Sequence, residues 1–255
     1  SLNKPENVVD KLIDMAKKGE IAKIPTFGAK SQEDMLTSLL EYKQGKNKTD
    51  RMLLPYAYDL AEKILSYIRQ SKDVIEAETL GSLRRMKPTV HDIDIAVASN
   101  NPEAVVKHFV SYPYKERVIE KGPSTASILT TGKKQIDLMV QPQKSFGSLL
   151  QHFTGSKNHN VKLREYALKK GLSLSEKGIK QLSNKEKINE YETEKEFYRA
   201  LGMEWIPPEI RENTGEIELA IKHELPKLVE LSDIKGDLHI HSSFPIEPSH
   251  DLGHA

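Results

Sequence analysis

A strand that breaks into a turn and a helix, followed by a strand with two acidic residues, constrains this chain more than any other feature. Residues 74–80 are rich in strand formers, and Gly81 and Ser82 interrupt them. Glycine at such a turn allows close approach of the backbone to a ligand, and Ser82 is placed to cap the following helix. Free amides at a helix N-terminus attract phosphate, and Arg84 or Arg85 adds a forked cationic donor. The segment therefore predicts a phosphate-binding turn.

The next strand carries two carboxylates on one face. Asp92 and Asp94 are two residues apart, so their side chains emerge together, whereas Ile93 and Ile95 point into an apolar core. An Asp-x-Asp pair by itself is also typical of a solvated strand. Beside a phosphate-binding turn, two carboxylates that repel each other favour a cation between them, and oxygen ligands suit Mg²⁺. The combination predicts phosphoryl or nucleotidyl transfer.

The composition is that of an ordinary globular protein. The 255 residues suffice for one large unit or two or three small ones, with 37% of residues hydrophobic and 29% charged. No apolar run approaches the length of a membrane span and no secretory signal is visible, so we expect a cytoplasmic protein that does not engage membranes. The absence of cysteine excludes disulfides and thiolate chemistry.

Nucleic-acid binding would have to use a local basic surface, because the net charge is only +1. Residues 151–185 provide such a surface, with eight lysine or arginine residues and two acidic residues. This part of the chain is the basic surface that the sequence offers to a nucleic acid.

The N-terminal region is predicted to form two helices joined by a short hairpin. Apolar residues recur at helical spacing over residues 5–18. A hairpin that contains Thr26, Phe27 and Gly28 follows, and a second helix is expected at roughly 32–42. This arrangement resembles the helix-hairpin-helix element, which grips DNA phosphates through backbone amides, with Thr26 in place of its first glycine. An ordinary corner between two helices is the alternative interpretation.

A long amphipathic helix and then a sheet are predicted to follow. Asp50 is placed to cap the helix, and Pro55 fits if it lies in the first turn. Strands over residues 74–143 alternate with a helix at residues 102–111. Strands with helices packed on one side predict an α+β domain.

The Gly-Ser turn and the Asp-x-Asp strand together resemble the active-site signature of the nucleotidyltransferase superfamily that includes DNA polymerase beta. Members of that superfamily use a third carboxylate from a later strand. Asp137 lies in a short apolar strand, residues 134–140, and alone would be interpreted as an edge charge. Beside the other two motifs, the resemblance implies that Asp137 is the third ligand.

A second segment, residues 147–164, restricts the resemblance to one family within this superfamily. Gly155 is predicted to end one helix and Ser156 to cap the next, on which Asn160 and Arg164 share a face. The run resembles the substrate-binding hinge of family X DNA polymerases. The chain is identified as similar to the bacterial and archaeal members of that family.

This resemblance implies a role for each candidate residue. Asp92, Asp94 and Asp137 would be the catalytic residues and would hold two Mg²⁺ ions, with Mn²⁺ as a substitute. The implied partners are dNTPs and primer–template or gapped DNA, bound by a monomer. The residues implied in nucleotide binding are Gly81, Ser82, Arg85, His152, Phe153, Gly155, Ser156 and Asn160. The residues implied in DNA binding are Arg164, Lys157, Phe27 and Gly28.

His152 departs from the family pattern, which usually has tyrosine before the phenylalanine. An aromatic residue at this turn helps to test the sugar for a 2′-hydroxyl. The departure therefore bears on how strictly ribonucleotides are excluded.

The resemblance also divides the chain. The implied parts are partial fingers at 1–72, a nucleotidyltransferase palm at 73–143, an α/β thumb at 144–230, and a linker with the start of a truncated PHP phosphoesterase domain at 231–255. His239 and His241 carry the last assignment, since they resemble the His-x-His metal pair on the first strand of PHP domains. We therefore expect a polymerase core cut from a longer protein.

The leading hypothesis is a DNA-directed DNA polymerase core that adds dNMP to a primer 3′-hydroxyl, used in filling short gaps during DNA repair. One alternative is a nucleotidyltransferase that acts on an acceptor other than DNA. The other alternative is a non-catalytic module that binds DNA ends.

Overall fold

Two N-terminal helices begin the part of the chain that the structure, a computed structural model, describes, namely residues 5–24, 28–43 and 51–236. The helices are α1 (Pro5–Lys17) and α2 (Ala29–Lys43), with a 3₁₀ turn at Ile21–Lys23 between them. The Ala22 amide donates to the Gln32 side chain at 3.0 Å, which fastens this turn to α2. Both predicted helices are thus confirmed, while Phe27 lies outside the described residues.

A five-stranded mixed sheet lies at the centre of the fold. Its strands are β2 (Glu76–Thr79), β4 (Ile93–Ala98), β5 (Lys115–Lys121), β6 (Thr125–Thr130) and β7 (Gln135–Gln141), and a separate short pair is formed by β1 (Met52–Leu53) and β3 (Thr89–Val90). The strand order in the sheet is β2-β4-β7-β6-β5. The pair β4–β7 is parallel, and the other three pairs are antiparallel.

Helices cover both faces of this sheet. Helices α3 (Leu54–Ile68) and α5 (Pro102–Phe109) share one apolar core with the alternate β4 residues Ile93, Ile95 and Val97. On the opposite face, Ala96 and Ala98 pack with α6 (Phe146–Thr154). Because side chains alternate along a strand, Asp94 belongs to the α6 face. The predicted inward orientation of Ile93 and Ile95 is confirmed.

Two predicted helix caps are wrong. Helix α3 begins at Leu54 with a proline in its first turn, and its N-cap is Leu53 in place of the predicted Asp50, which lies outside the described residues. The turn after β2 is one helical turn, α4 (Gly81–Arg84), whose N-cap is Leu80. Pairing with β4 extends to Leu80, whose amide donates to the Asp94 carbonyl at 2.8 Å. The helix therefore starts two residues too early for Ser82 to act as its cap.

The C-terminal unit packs helices against a small antiparallel sheet. A 3₁₀ turn at Gln143–Ser145 leads into α6. The elements after α6 are α7 (Lys157–Lys169), β8 (Leu172–Ser175), β9 (Gly178–Gln181), β10 (Asn184–Asn189), α8 (Glu194–Ala200) and α9 (Glu216–Lys222), with 3₁₀ turns at Pro208–Ile210 and Leu231–Asp233. Leu163, Phe197 and Ile217 lie in its apolar core. Gly147 in α6 lies so close to the Thr193 backbone that an added Cβ would be 2.1 Å from the Thr193 carbonyl carbon. The unit is therefore packed directly on the helix that covers the main sheet.

A buried carboxylate joins the main sheet to the C-terminal unit. Glu194 accepts from Arg84 of α4 at 2.7 Å and from Arg211 at 2.6 Å. The Arg211 side chain is fully buried and lies over the Tyr198 ring at 5.1 Å. Burial disfavours ionisation of Glu194, but the charges of Arg211 and Arg84 outweigh this and lower its pKa to about 2. The carboxylate is therefore charged and paired at neutral pH.

Over the described ranges, none of the helices has the length and apolar character needed to cross a membrane.

Replacing Glu194 is expected to destabilise the fold. Glu194→Ala should lower the free energy of unfolding by about 3–5 kcal/mol, because Arg211 would stay buried without its counter-charge. Urea denaturation measures the change, and Glu192→Ala removes a nearby exposed acid as the control. Since the folded pKa lies below the ordinary 4.5, the stabilisation by Glu194 is present above that pH and is lost as pH falls towards 2. Glu194→Gln should flatten the pH dependence in this window, and an unchanged profile would contradict the assignment.

Candidate active site

Three carboxylates meet on the α6 face of the main sheet. The parallel register of β4 and β7 sets Asp94 beside Asp137, and Asp92 immediately precedes β4. One carboxylate oxygen from each of the three residues lies within 4.8 Å of the others, and all three residues are half-buried. The structure thus brings the three predicted acids together, although they come from separate segments of the chain.

The pKa of the central carboxylate of this triad, Asp94, is raised above its ordinary value. Burial, then the charge of Asp92 and then that of Asp137 raise the pKa of Asp94 to about 7. Three acidic groups at this spacing repel one another unless a cation lies between them. Carboxylate oxygens are the donors that hard divalent cations prefer, so the donor set and its excess of negative charge fit such an ion.

Two neighbouring side chains fix the orientation of Asp137, and sequence reasoning missed both of them. Ser127 lies opposite Asp137 in the antiparallel β6–β7 pair, and its hydroxyl donates to Asp137 Oδ1. Gln135, two residues before Asp137 on the same face, donates from Nε2 to both carboxylate oxygens at 3.0 and 3.1 Å. The Gln-x-Asp spacing was a signal in the sequence, but the contact with Ser127 depends on strand register.

Gly81 is the residue that lets the turn approach the triad. It has a φ of +58°, and a Cβ added to it would be 2.7 Å from Asp94 Oδ2. A larger residue would therefore meet both an unfavourable backbone conformation and the carboxylate. Ser82 follows in the same turn and is half-buried. The turn thus lies against Asp94, while the predicted approach of its backbone to a ligand stays a prediction.

Arg85 ends the turn and reaches across to the C-terminal unit. Its Nη1 donates to the Thr154 carbonyl, and its Nε donates to Glu212 Oε1 at 2.9 Å. The neighbouring Arg84 donates to the Thr154 hydroxyl at 2.6 Å and to Glu194. Both arginines thus bind the last residue of α6, and binding of phosphate by Arg85 stays a prediction.

The turn between α6 and α7 has the predicted caps. Gly155 ends α6 with a φ of +73°, and the Ser156 hydroxyl accepts from the His159 amide at 3.3 Å. Asn160 ties the two helices together, since it donates to the His152 carbonyl at 2.7 Å and accepts from the Gln151 side chain at 2.9 Å. The position of His152 and of its neighbour therefore depends on Asn160.

The two rings at this turn differ in exposure. Phe153 is 37% exposed, and its ring centroid is 4.8 Å from that of the half-buried His152. Burial, and then the charge of Arg164, lower the pKa of His152. His152 is thus held towards its neutral form, beside an aromatic ring that is open to a ligand.

A buried histidine braces the start of α7, and its role was not apparent from the sequence. His159 Nδ1 lies 2.7 Å from Glu216 Oε1, and its Nε2 lies 3.0 Å from the Tyr198 hydroxyl. Burial lowers the pKa of His159, although Glu216 opposes this effect. Its fully buried ring makes it a packing residue of the C-terminal unit.

The candidate DNA contacts lie on two parts of the structure. Lys157 and Arg164 are exposed on α7. Gly28 is exposed immediately before α2, and the predicted contact at Phe27 lies outside the described residues. The same holds for His239 and His241, the predicted metal pair of the C-terminal segment.

A groove elsewhere on the main sheet is separate from the triad. It has a volume of about 810 Å³ and lies between α3 and the β6–β7 hairpin, with Tyr67, Tyr112 and Lys134 among its lining residues. None of the candidate catalytic or nucleotide-binding residues lines it. The candidate active site is therefore identified by its carboxylates and not by the size of a cavity.

Comparison with known proteins gives matches over most of the chain. A family model described as the DNA polymerase beta thumb matches residues 149–212. The DNA polymerase/3′-5′ exonuclease PolX of Bacillus subtilis (strain 168) is 36% identical over 220 residues, which cover 86% of this chain and 38% of that protein. The chain thus spans less than two fifths of the length of this curated relative.

Two solved structures of Leishmania infantum polymerase beta have the same fold. The ternary gap complex gives a TM-score of 0.62 at 22% identity and covers 83% of this chain and 83% of that one. The ternary P/T complex gives a TM-score of 0.60 at 23% identity and covers 80% of this chain and 88% of that one. These likenesses confirm the predicted α+β nucleotidyltransferase fold, with a mixed sheet flanked by helices.

Removing the central charge of the triad is expected to stabilise the metal-free protein. The folded protein retains the Asp94 proton that the unfolded chain releases, so its stability falls as pH rises from 3.8 to about 7. Asp94→Asn should therefore gain on the order of 2 kcal/mol at about pH 8 and almost nothing near pH 4. Thermal denaturation in a chelator measures both values.

The control for this experiment is Glu120→Gln, which removes an exposed acid from β5 of the same sheet. Added Mg²⁺ should raise the melting temperature of the wild-type protein but not that of Asp94→Asn. An Asp94→Asn protein that is less stable than the wild type at about pH 8 in chelator would contradict the repulsion inferred for the triad.

Proposed function

We infer that the chain belongs to family X of the DNA polymerases, and from that premise we propose that it is a DNA-directed DNA polymerase core that fills short gaps during repair. The observation that carries the proposal is the cluster of Asp92, Asp94 and Asp137, with the glycine turn packed against it. The reaction would join the primer 3′-oxygen to the α-phosphorus of a dNTP and release pyrophosphate.

The carboxylate triad would hold two Mg²⁺ ions. When bound, these ions, for which Mn²⁺ can substitute, would acidify the primer 3′-hydroxyl and neutralise the charge of the leaving pyrophosphate. Asp92 and Asp94 would help to hold the ions through their carboxylate oxygens. Asp137, held by Ser127 and Gln135, would orient the primer hydroxyl and help to remove its proton.

The turn at the start of α4 would bind the β- and γ-phosphates. Gly81 brings the backbone close to the triad, so amides at this turn would lie near a nucleotide held there. Ser82 would add its hydroxyl, and Arg85 would add a charged donor of fixed geometry. These groups would hold the triphosphate in line with the attacking hydroxyl.

The turn between α6 and α7 would contact the sugar and base of the incoming nucleotide. The exposed ring of Phe153 and the backbone at Gly155 and Ser156 would lie against the sugar. Asn160 has a second N–H on the amide that holds the His152 carbonyl, and this N–H would donate to the minor-groove edge of the base.

DNA would be bound mainly through its phosphates. Arg164 would contact the template strand, and Lys157 lies on the same exposed helix. Gly28 and Phe27 belong to the N-terminal hairpin, for which we propose contacts through backbone amides. Both gapped and primer–template DNA are proposed as substrates, since the solved structures that share this fold include a ternary gap complex and a ternary P/T complex. In the proposed division, fingers, palm and thumb cover residues 1–72, 73–143 and 144–230.

A gap-filling assay tests this function. The protein is incubated with a one-nucleotide-gapped duplex, Mg²⁺ and each dNTP singly. Only the complementary nucleotide should be added, and Asp94→Asn and Asp137→Ala should each reduce the rate by at least about 1,000-fold, since the charge on the reacting groups would be left unbalanced. Glu120→Gln is the control. Extension by Asp137→Ala at the wild-type rate would refute the assigned triad.

The residue before Phe153 is expected to affect sugar discrimination. His152→Tyr should increase the preference for dNTP over rNTP by about 5-fold, because a longer ring at this turn would crowd a 2′-hydroxyl. The ratio of kcat/KM values for the matched dNTP and rNTP measures the effect. An equal change for both nucleotides would show that His152 does not lie near the sugar.

A further inference from the structure

We infer that Glu212 is a positioning residue for the triphosphate, which it orients indirectly by holding the guanidinium of Arg85. This inference rests on the proposed function, because it assigns Arg85 to the phosphates of the incoming nucleotide. The inference adds to the nucleotide site a residue of the C-terminal unit that lies between the 3₁₀ turn at Pro208–Ile210 and α9.

Two fixed groups accept hydrogen bonds from two of the three guanidinium nitrogens of Arg85. Nε donates to Glu212 Oε1 at 2.9 Å, and Nη1 donates to the Thr154 carbonyl. The side chain of Arg85 is only 13% exposed. A Cβ added to Gly155 would lie 3.0 Å from Nη1, so the arginine is packed directly against the turn that follows α6.

The third nitrogen of the guanidinium has no hydrogen-bond partner among the described residues, whereas the other two do. A planar guanidinium that is fixed at Nε and Nη1 presents Nη2 in a set direction. An oxyanion that meets such a donor does not have to order the side chain first, which lowers the entropic cost of binding. Nη2 is therefore the donor that remains for a phosphate oxygen.

The segment that carries Glu212 is itself rigidly attached. The preceding residue, Arg211, is fully buried and bound to Glu194. The Arg211 carbonyl accepts from the Ser156 amide at 3.0 Å, so this segment is fastened to the same turn as the proposed sugar contacts. Glu212 thus connects Arg85 to the C-terminal unit at a defined position.

Glu212 also pairs with Lys87, whose Nζ lies 3.2 Å from Oε1. Burial disfavours the carboxylate, but hydrogen bonds from Arg85 and Lys87 outweigh this and lower the pKa of Glu212. The group is therefore charged at neutral pH, as an anchor for an arginine must be. Its side chain is 29% exposed, so replacing it leaves no large buried cavity.

The test compares the kinetics of Glu212 variants in filling a one-nucleotide gap. Glu212→Ala should raise the KM for the complementary dNTP about 10-fold and leave kcat within about 2-fold, because a charge-assisted contact that orients the donor is lost. Glu212→Gln should raise KM about 3-fold, since its amide oxygen still accepts but carries no charge. Glu224→Ala, which removes an exposed acid of the same unit, should leave both constants unchanged.

A double-mutant cycle separates positioning from other roles. If Glu212 acts through Arg85, then Glu212→Ala should have no further effect on KM in an Arg85→Ala background. Thermal denaturation checks that each variant is folded, and the affinity for gapped duplex should be the same in all of them.

The outcomes distinguish failure of the role assigned to Glu212 from failure of the proposed polymerase function. An additive effect in the double mutant, an unchanged KM in Glu212→Ala, or a lower KM would overturn the role of Glu212. A lower KM would mean that the carboxylate competes with the nucleotide for Arg85. A wild-type protein that adds no nucleotide would overturn the proposed function, and the inference with it.

Discussion

The arrangement of the candidate site depends on one buried carboxylate. Glu194 lies between Arg84, which follows the first strand of the main sheet, and Arg211, which follows the small C-terminal sheet. Such a pair adds little net stability compared with apolar packing, but it permits only a narrow range of positions for its partners. The position of the α6–α7 turn relative to the carboxylate triad therefore depends on these ion pairs as well as on close packing.

The adjacent residues Arg84 and Arg85 have different roles at this junction. Arg84 contacts Glu194 and the Thr154 hydroxyl, which leaves it a structural role. Arg85 contacts the carbonyl of the same threonine and keeps one nitrogen without a partner among the described residues. Because both side chains converge on the last residue of α6, a displacement of the C-terminal unit would move the proposed phosphate donor as well. Nucleotide binding and the packing of this unit are thus coupled through a single turn of helix.

Sequence patterns identified the parts of the site that depend on local spacing. The period of two placed Asp92 and Asp94 on one face, and the Gly155-Ser156 pair correctly marked the boundary of two helices. The caps at Ser82 and Asp50 were wrong because strand pairing reached Leu80 and a proline fixed the start of α3, and propensity does not rank these competing effects.

The contacts that sequence reasoning missed join residues that are distant in the chain. Ser127 reaches Asp137 through strand register, Glu194 reaches Arg84 across the fold, and Glu212 reaches Arg85 in the same way. Each of these residues belongs to a type that is common on protein surfaces. No spacing rule separates them from solvated side chains, so only the folded arrangement reveals their role.

The parallel register of β4 and β7 also has a consequence for how the protein folds. Asp94 and Asp137 are neighbours only after the intervening helix and two antiparallel strands have been formed and placed at the side of the sheet. Closing so long a segment is slow compared with the formation of local turns. A nascent or partly unfolded chain would therefore lack the three-carboxylate cluster, and capture of a divalent cation would be among the last events in its maturation.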